Sequence, residues 1–262
     1  MQEMKKQIKN IDFNCDLAQS FGVYRNSCEF ELLDYVSSVN VSCGFHAGDP
    51  VTIREALLRA KERNVVIGAH IGFDDISGFG YRDMYMPDDE LEALVIYQVG
   101  ALMSFAKTLN MEIEHVRPHG AMYKIAAENF DVAKVIAGAV KKVSQWLVYY
   151  GAAGEVTKRV GEELDMQVAQ EVFLEKMYKP DGTIDYSARD NENNEIMISR
   201  LKNLIATSQV SNNIGERTYL EADTIHFSNK HAGSKELIIK AREIITPLPY
   251  NYKQAALSGW VE

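Results

Sequence analysis

Short apolar runs rich in β-branched residues alternate with longer segments of helical periodicity along most of the chain. About seven such β-then-α units follow one another, with no linker rich in serine, proline or glycine between them. The predicted strands lie near Ile8–Asn14, Val39–Cys43, Val65–His70, Ile113–Arg117, Trp146–Tyr150, Gln167–Phe173 and Ala222–Phe227. Units of this kind build a parallel sheet, which is either open and doubly wound or closed into a barrel.

Two helix starts stand out in the pattern. Asp49 is suited to be an N-cap because Pro50 follows it at the first helical position, and this helix is predicted to run to about Arg63. Pro87 precedes three acidic residues, which the helix dipole favours in a first turn. We expect this second helix to continue to about Leu109.

Polar candidate residues follow several different predicted strands. They are Asp16, His46, His70, His119 and His226. The strand ends of a barrel converge on one face, whereas an open sheet gathers its site at a single switch point. This spread favours an α/β fold in which residues 1–262 form a single irregular TIM-like barrel and residues 1–9 a flexible start. The pattern is weakest over residues 176–218, which include a polar loop at 190–195.

Composition narrows the classes of function. The net charge of −9 argues against a nucleic-acid partner, which would need a basic face. No apolar run approaches the roughly 18 residues of a membrane span, and the first ten residues lack the apolar region of a signal peptide. The cysteines Cys15, Cys28 and Cys43 form no C-x-x-C motif. We therefore expect a cytoplasmic protein in a reducing compartment.

Three histidines occupy equivalent places at the ends of predicted strands. His46 lies between Gly44 and Gly48, where glycine allows tight turning and close backbone approach to a ligand. His70 and His119 also lie next to glycines. One histidine in such a place is more often structural or merely exposed, but three at equivalent positions indicate a shared polar site.

An aspartate adds a carboxylate to this predicted site. Alternation along the first strand sends Asp12, Asn14 and Asp16 to one side, and Asp16 lies nearest the strand's end. It could act as a general base, orient a histidine or bind a metal, or it could simply end the strand in solvent. Asp16, His46 and His70 are a candidate divalent-metal set, although their spacing is not a local motif such as H-E-x-x-H. Without a metal, the same groups can serve as acid, base and oxyanion-binding groups.

Seven longer motifs resemble those of the LamB/YcsF family and span about residues 10–245. They are Asn14–Gly22 (N-C-D-L-A-Q-S-F-G), Cys43–Pro50 (C-G-F-H-A-G-D-P), Ile67–Asp75 (I-G-A-H-I-G-F-D-D), Gly78–Arg82 (G-F-G-Y-R), Tyr97–Leu102 (Y-Q-V-G-A-L), Arg117–Tyr123 (R-P-H-G-A-M-Y) and Tyr178–Gly182 (Y-K-P-D-G). The resemblance implies an irregular β/α barrel similar to those of glycoside hydrolases and deacetylases, in agreement with the strand pattern.

The resemblance also implies an activity and partners. It implies the A component of a hydrolase that works with subunits B and C to open the lactam of 5-oxoproline to L-glutamate, coupled to hydrolysis of ATP. No G-x-x-x-x-G-K-[ST] or G-x-G-x-x-G motif is present, so a nucleotide would be bound by another device or another chain. The motifs carry over the catalytic candidates Asp16, His46, His70 and His119, with Asp49 as a weaker candidate. The substrate-binding candidates are Asn14, Arg117, Tyr123 and Lys124, of which Arg117 is suited to pair with a substrate carboxylate.

The chain departs from the family pattern at four places. Gln19 stands where the family has glutamate, and Arg117 stands where it has lysine. Glu175 replaces the aspartate of the family's A-D-R motif, and Phe227 replaces the glycine of its H-G-D motif. These changes indicate a divergent paralogue that acts on another lactam or cyclic amide, or that has reduced activity. Two alternatives stand beside the lactam hydrolase. One is a metal-dependent deacetylase or carbohydrate-processing hydrolase on the same barrel, and the other is a non-catalytic paralogue that kept the pocket.

Overall fold

The apolar runs of the sequence form the strands of one closed sheet. The structure, a computed structural model, describes residues 9–24, 30–191, 193–229, 233–246 and 250–252. In chain order its strands are β1 (Lys9–Leu17), β2 (Ser38–Ser42), β3 (Val66–Ile71), β4 (Ile113–Pro118), β5 (Val148–Ala152), β6 (Val168–Phe173), β7 (Gln209–Ser211), β8 (Arg217–Tyr219), β9 (Thr224–His226) and β10 (Tyr250–Tyr252). The predicted flexible start lies outside the described residues apart from Lys9, and so do Cys28 and His231.

Within the described chain, seven parallel strands close the barrel in the order β1-β2-β3-β4-β5-β6-β9. Closure depends on β9, which pairs with β6 on one side and with β1 on the other. The barrel rather than the open sheet is therefore the correct alternative, and its strands are the seven predicted from the sequence. The β7–β8 hairpin lies in the weakly patterned stretch and was not predicted, and neither was β10, which extends β1.

The helices pack around the outside of the barrel. They are α1 (Pro50–Glu62), α2 (Asp88–Thr108), α3 (Gly120–Glu128), α4 (Phe130–Val143), α5 (Glu155–Leu164), α6 (Asn194–Thr207) and α7 (Ser234–Ile245). Asp49 caps α1 as predicted, because its side chain accepts hydrogen bonds from the backbone N–H groups of Val51 and Thr52. No helix among the described residues combines the length and apolarity needed to cross a membrane.

The interior of the barrel is polar, and the hydrophobic core lies between strands and helices. In β2, Val39 is fully buried in this outer layer. The alternate residues face inward, where the Ser38 hydroxyl donates to Asp12 and the Asn40 amide donates to Asp16. The predicted inward alternation of β1 is therefore confirmed. Its polar side chains form a column that leads up to the carboxyl ends of the strands.

Candidate active site

The carboxyl ends of three strands and the loops that follow two strands bring the predicted residues together. Asp16 lies at the end of β1, His70 at the end of β3, and Arg117 near the end of β4. His46 follows β2, and His119 is the residue directly before α3. All five are buried, although they are spread over more than one hundred residues of sequence.

Asp16 is the common neighbour of the charged groups in this cluster. Its Oδ1 atom lies 3.2 Å from Nη1 of Arg117 and 3.3 Å from Nε2 of His70. Nε2 of His226 is 3.4 Å from the same oxygen, and the amide of Asn40 donates to it at 3.1 Å. One carboxylate oxygen thus faces three groups that carry or can carry positive charge.

The charges of this cluster shift its protonation equilibria. Burial opposes ionisation of Asp16, but His70, Arg117 and His226 outweigh it and hold the pKa of this carboxyl well below its usual value. Burial lowers the pKa of His70, although the nearby Asp16 carboxylate opposes that shift. Asp16 is therefore an anion at neutral pH, which makes it better suited to orienting and stabilising the histidines than to acting as a general base.

Arg117 is neutralised from two sides. Its Nε atom lies 2.8 Å from both carboxylate oxygens of Glu171, while Nη1 contacts Asp16. The ring of Tyr123 lies 5.0 Å from the guanidinium carbon. Protein carboxylates therefore hold this side chain in place before any substrate arrives. A substrate carboxylate would be the third anion beside Arg117.

Hydrogen bonds to carbonyl groups fix the ring nitrogens of His70 and His119. Nδ1 of His70 lies 3.1 Å from the Arg117 carbonyl oxygen, and Nε2 of His119 lies 2.8 Å from that of Phe79. Since a carbonyl only accepts, both of these nitrogens carry hydrogen. The remaining nitrogens, Nε2 of His70 and Nδ1 of His119, are 3.0 Å apart. Two lone pairs would repel at this distance, so the contact requires a shared proton or a cation.

A metal ion is one cation to consider here. Donor nitrogens of His46, His70 and His119 lie within 4.8 Å of one another, a set that differs from the predicted Asp16, His46 and His70. Two features oppose a metal. The His46 and His119 rings are stacked, with centroids 4.0 Å apart and planes at 13°, so one ion cannot lie in both ring planes. Nη1 of Arg117 is 3.4 Å from Nε2 of His70 and already supplies positive charge. The geometry favours a shared proton.

The cluster forms the floor of a cavity of about 810 Å³. Five predicted residues line it, namely Asp16, Arg117, His119, Tyr123 and Lys124. His46 and His70 are buried behind this wall. Asn14 is buried below it and donates to Glu171 and Thr224. Contact with substrate is therefore open to the first five, while the last three support them.

The residues that depart from the family pattern also surround this cavity or its floor. The Gln19 amide donates to Oδ2 of Asp16 at 3.2 Å, where a glutamate would add a second negative charge. Oε1 of Glu175 is 4.0 Å from Nδ1 of His226, and burial raises the pKa of this carboxyl. The Phe227 ring packs against the Phe13 ring, with centroids 4.8 Å apart.

Asp49, a weaker catalytic candidate, caps α1 with its side chain, which also accepts a hydrogen bond from the backbone N–H of Gly22.

Sequence reasoning missed Glu171 and Asn40. Glu171 is fully buried and bonds Arg117 and Asn14, so it fixes two predicted residues at once. A lone acid within the apolar run of β6 was the available signal. The alternation of Ser38, Val39, Asn40 and Val41 was the corresponding signal in β2, because alternate polar residues of one strand face one side.

Comparison with known proteins gives the affiliation of the chain. The LamB/YcsF family matches residues 11–255. The 5-oxoprolinase A subunit of Bacillus cereus (strain AH187) is 38% identical over 245 residues, which cover 92% of this chain and 96% of that protein. Its counterpart in Bacillus subtilis (strain 168) is 39% identical over 227 residues, covering 85% and 88%. The crystal structure of a lactam utilization protein from Thermus thermophilus superposes with a TM-score of 0.86 at 30% identity, covering 93% of this chain and 99% of that one. The chain belongs to the LamB/YcsF family.

Proposed function

We propose that this chain is the A subunit of an ATP-dependent 5-oxoprolinase-type enzyme, which opens the lactam ring of 5-oxoproline to give L-glutamate. The observation that carries the proposal is the histidine cluster around Asp16, on the floor of a cavity, in a chain 38% identical to a named 5-oxoprolinase A subunit. A hydrolase for a small cyclic amide needs proton donors and acceptors in a recess that limits water.

The reaction adds water to the lactam carbonyl carbon, breaks the ring C–N bond and transfers a proton to the ring nitrogen. His119 lines the cavity and is suited to exchange a proton with the substrate. His70 lies behind it and shares that proton at 3.0 Å. Asp16 supplies a negative charge that favours a proton on the pair and opposes the effect of burial, and Arg117 is suited to stabilise the oxyanion that forms at the carbonyl.

The substrate carboxylate needs a cation outside the buried cluster, where Asp16 and Glu171 already hold Arg117 in place. Lys124 lines the cavity, and its Nζ lies 3.2 Å from Asp83 at a partly exposed position. An ion pair of this kind exchanges partners readily because solvent screens it. We therefore assign the predicted carboxylate contact to Lys124 and regard Arg117 as part of the reacting centre.

ATP and partner chains complete the proposal. The sequence contains neither of the two common glycine-rich phosphate-binding motifs. We infer that the nucleotide is held with or by subunits B and C, and that this chain supplies the lactam site. The relatives are named as one lettered subunit of 5-oxoprolinase, which supports an assembly of several chains.

The test is glutamate release from 5-oxoproline and ATP, measured with and without B and C subunits from the same genome. Turnover that requires all three chains is expected. In the full mixture, Asp16→Asn should lower turnover by about 100-fold or more, because the proton-sharing pair loses its counter-ion. Asp131→Asn, at an exposed aspartate in the first turn of α4, is the control and should keep wild-type turnover. An Asp16→Asn protein with full activity would rule out the assigned role.

A metal-dependent hydrolase is the second candidate, and the grouping of three histidines within 4.8 Å is the observation that favours it. It predicts stoichiometric zinc or another divalent ion in the purified protein, and loss of that ion in His70→Ala. Metal analysis of protein purified without chelators decides the matter. Ligand binding without turnover in the full mixture would instead identify the non-catalytic paralogue.

A further inference from the structure

Helix α2 is apolar on the side that faces away from the barrel. Residues 93–106 contain no charged side chain, although α2 lies on the surface. Its inner side packs on β3 and α4 through residues such as Val95 and Val99. Its outer side carries Ile96, Tyr97 and Met103, of which Tyr97 is 65% exposed. A helix that is apolar all round is ordinarily buried, so this outer side is suited to contact another molecule.

The segment that leads into α2 also exposes large apolar side chains. Residues 73–87, here called the strap, connect β3 to α2 across the carboxyl end of the barrel. Tyr81 and Met84 are exposed on it, and Tyr85 is 100% exposed. Tyrosine and methionine are enriched at protein interfaces. The outer side of α2 and the strap together form what we call the α2–strap surface.

Acidic residues border this surface at the start of α2. Asp88, Asp89 and Glu90 are exposed there. The basic residue of this stretch, Arg82, is already bonded to Asp75. A partner surface that combines apolar side chains with lysine or arginine would complement this border.

The strap also reaches the candidate active site. The Phe79 carbonyl oxygen accepts from Nε2 of His119 at 2.8 Å, and the ring of Tyr81 lies 5.1 Å from the His119 ring. On the helix, Tyr97 contacts Phe45, the neighbour of His46, with ring centroids 5.4 Å apart. A molecule seated on the α2–strap surface would therefore lie beside the groups that hold His119 and near Phe45, the chain neighbour of His46.

We propose that the α2–strap surface is where a partner subunit docks, through a basic and apolar surface of its own. The inference rests on the proposed function, because it takes the occupant to be the complex of the B and C subunits. Docking there would place the partner at the rim of the lactam cavity and fix the strap that carries the hydrogen-bond acceptor of His119. It gives a structural reason for a lactam site that works only within the assembly.

Two glycines make a matched test of this surface. A Cβ atom added at Gly100 of α2 or at Gly138 of α4 meets nothing within 4 Å, so a side chain can begin at either position without a clash. Gly100→Gln should leave the unfolding temperature unchanged or raise it, because glycine is a poor helix former. It should weaken association with the purified B–C complex by at least about tenfold, since the new side chain would protrude from the docking surface.

Gly138→Gln is the control and should bind the B–C complex within about twofold of wild type. Raising NaCl from about 0.05 M to about 0.3 M should weaken binding of the wild-type chain to the B–C complex. The same change should weaken binding of an Asp88→Asn/Asp89→Asn variant less, because that variant lacks two of the acidic side chains.

Equal binding by wild type and Gly100→Gln would overturn the proposed surface while leaving the proposed function standing. A wild-type chain that binds neither B nor C would overturn both. A wild-type dimer in light scattering that Gly100→Gln converts to a monomer would identify a second copy of this chain as the occupant, and so overturn the proposal.

Discussion

At the residue scale, the site is a set of buried charges that neutralise one another. Two carboxylates, Asp16 and Glu171, enclose the single guanidinium of Arg117. Buried pairs of this kind add little net stability, because the desolvation of each charge offsets most of the attraction. Removing one partner is costly, however, since the other charge is left buried. The arrangement therefore serves to hold Arg117 and the histidines in a fixed geometry.

This reasoning predicts the effect of Glu171→Gln. The amide keeps the shape of the side chain but loses the charge that faces Nε of Arg117 at 2.8 Å. We expect the free energy of unfolding to fall by about 2–4 kcal/mol. Urea denaturation followed by circular dichroism measures this. Turnover should fall as well, because Arg117 is free to take other rotamers.

An exposed glutamate provides the comparison for Glu171. Glu163 of α5 contacts Lys134 at 2.7 Å and Arg159 at 2.8 Å on the surface. Glu163→Gln should leave the free energy of unfolding close to that of wild type, since solvent screens such pairs. If the two variants were destabilised equally, the buried position of Glu171 would have no special role.

The sequence predicted the cluster around Asp16 but not its charge balance. Asp16 and His70 were found because each ends a predicted strand, and strand ends of a barrel converge. The pairing of Glu171 with Arg117 joins β6 to β4 across 54 residues. Spacing along the chain contains no information on which strands face each other across the interior. The same limit hid the contact between Asn40 and His115, at 2.8 Å.

At the element scale, one buried polar side chain links α2 to the residue that follows β3. Gln98 is fully buried, and its amide binds both backbone groups of Gly72, accepting from N and donating to O at 2.9 Å each. Gly72 packs closely against the His46 ring, with no room for a Cβ atom. The position of α2 is therefore linked to the position of a site histidine.

Gln98→Met tests this link. Methionine is of similar volume but leaves the N–H and C=O of Gly72 without their side-chain partner in a buried position. We expect a loss of about 2–4 kcal/mol in the free energy of unfolding and faster hydrogen exchange at the Gly72 amide. Leu102→Met, a buried change of similar size on the same helix, should cost less than about 1.5 kcal/mol. Equal losses would mean that packing rather than hydrogen bonding fixes α2.

Element prediction succeeded where several residues carried a periodic pattern. The seven barrel strands were predicted, and α1 and α2 begin and end within about two residues of expectation because capping residues mark their ends. The β7 and β8 strands have three residues each, which is too short for alternation to register. They are held by pairing with each other, a contact that depends on the turn between them.

At the scale of the whole molecule, a polar core closes the barrel. Asp12 of β1 accepts hydrogen bonds from Ser38 of β2, Tyr150 of β5 and Thr224 of β9, as well as from Ser37. These donors come from strands on different sides of the barrel. One carboxyl group thus ties together the strands whose closure the sequence pattern favoured over an open sheet.

The Asp12 carboxyl group makes the free energy of unfolding depend on pH. Burial raises the pKa of Asp12 from 3.8 to about 6, although its four hydroxyl donors oppose the shift. The folded protein therefore holds this proton more tightly than the unfolded chain does. The resulting stabilisation is complete below pH 3.8 and is lost as the pH rises through 6, by up to about 3 kcal/mol for a shift of this size.

The free energy of unfolding of wild type relative to Asp12→Asn should fall by this amount between about pH 4 and about pH 7, because other titrating groups cancel in the comparison. Tyr150→Phe removes one hydrogen-bond donor to the Asp12 carboxylate and so raises the pKa of Asp12 in the folded protein further. In this variant the fall in the free energy of unfolding should therefore extend to higher pH than in wild type. A difference between wild type and Asp12→Asn that stays constant over this range would show that Asp12 is not the group that titrates.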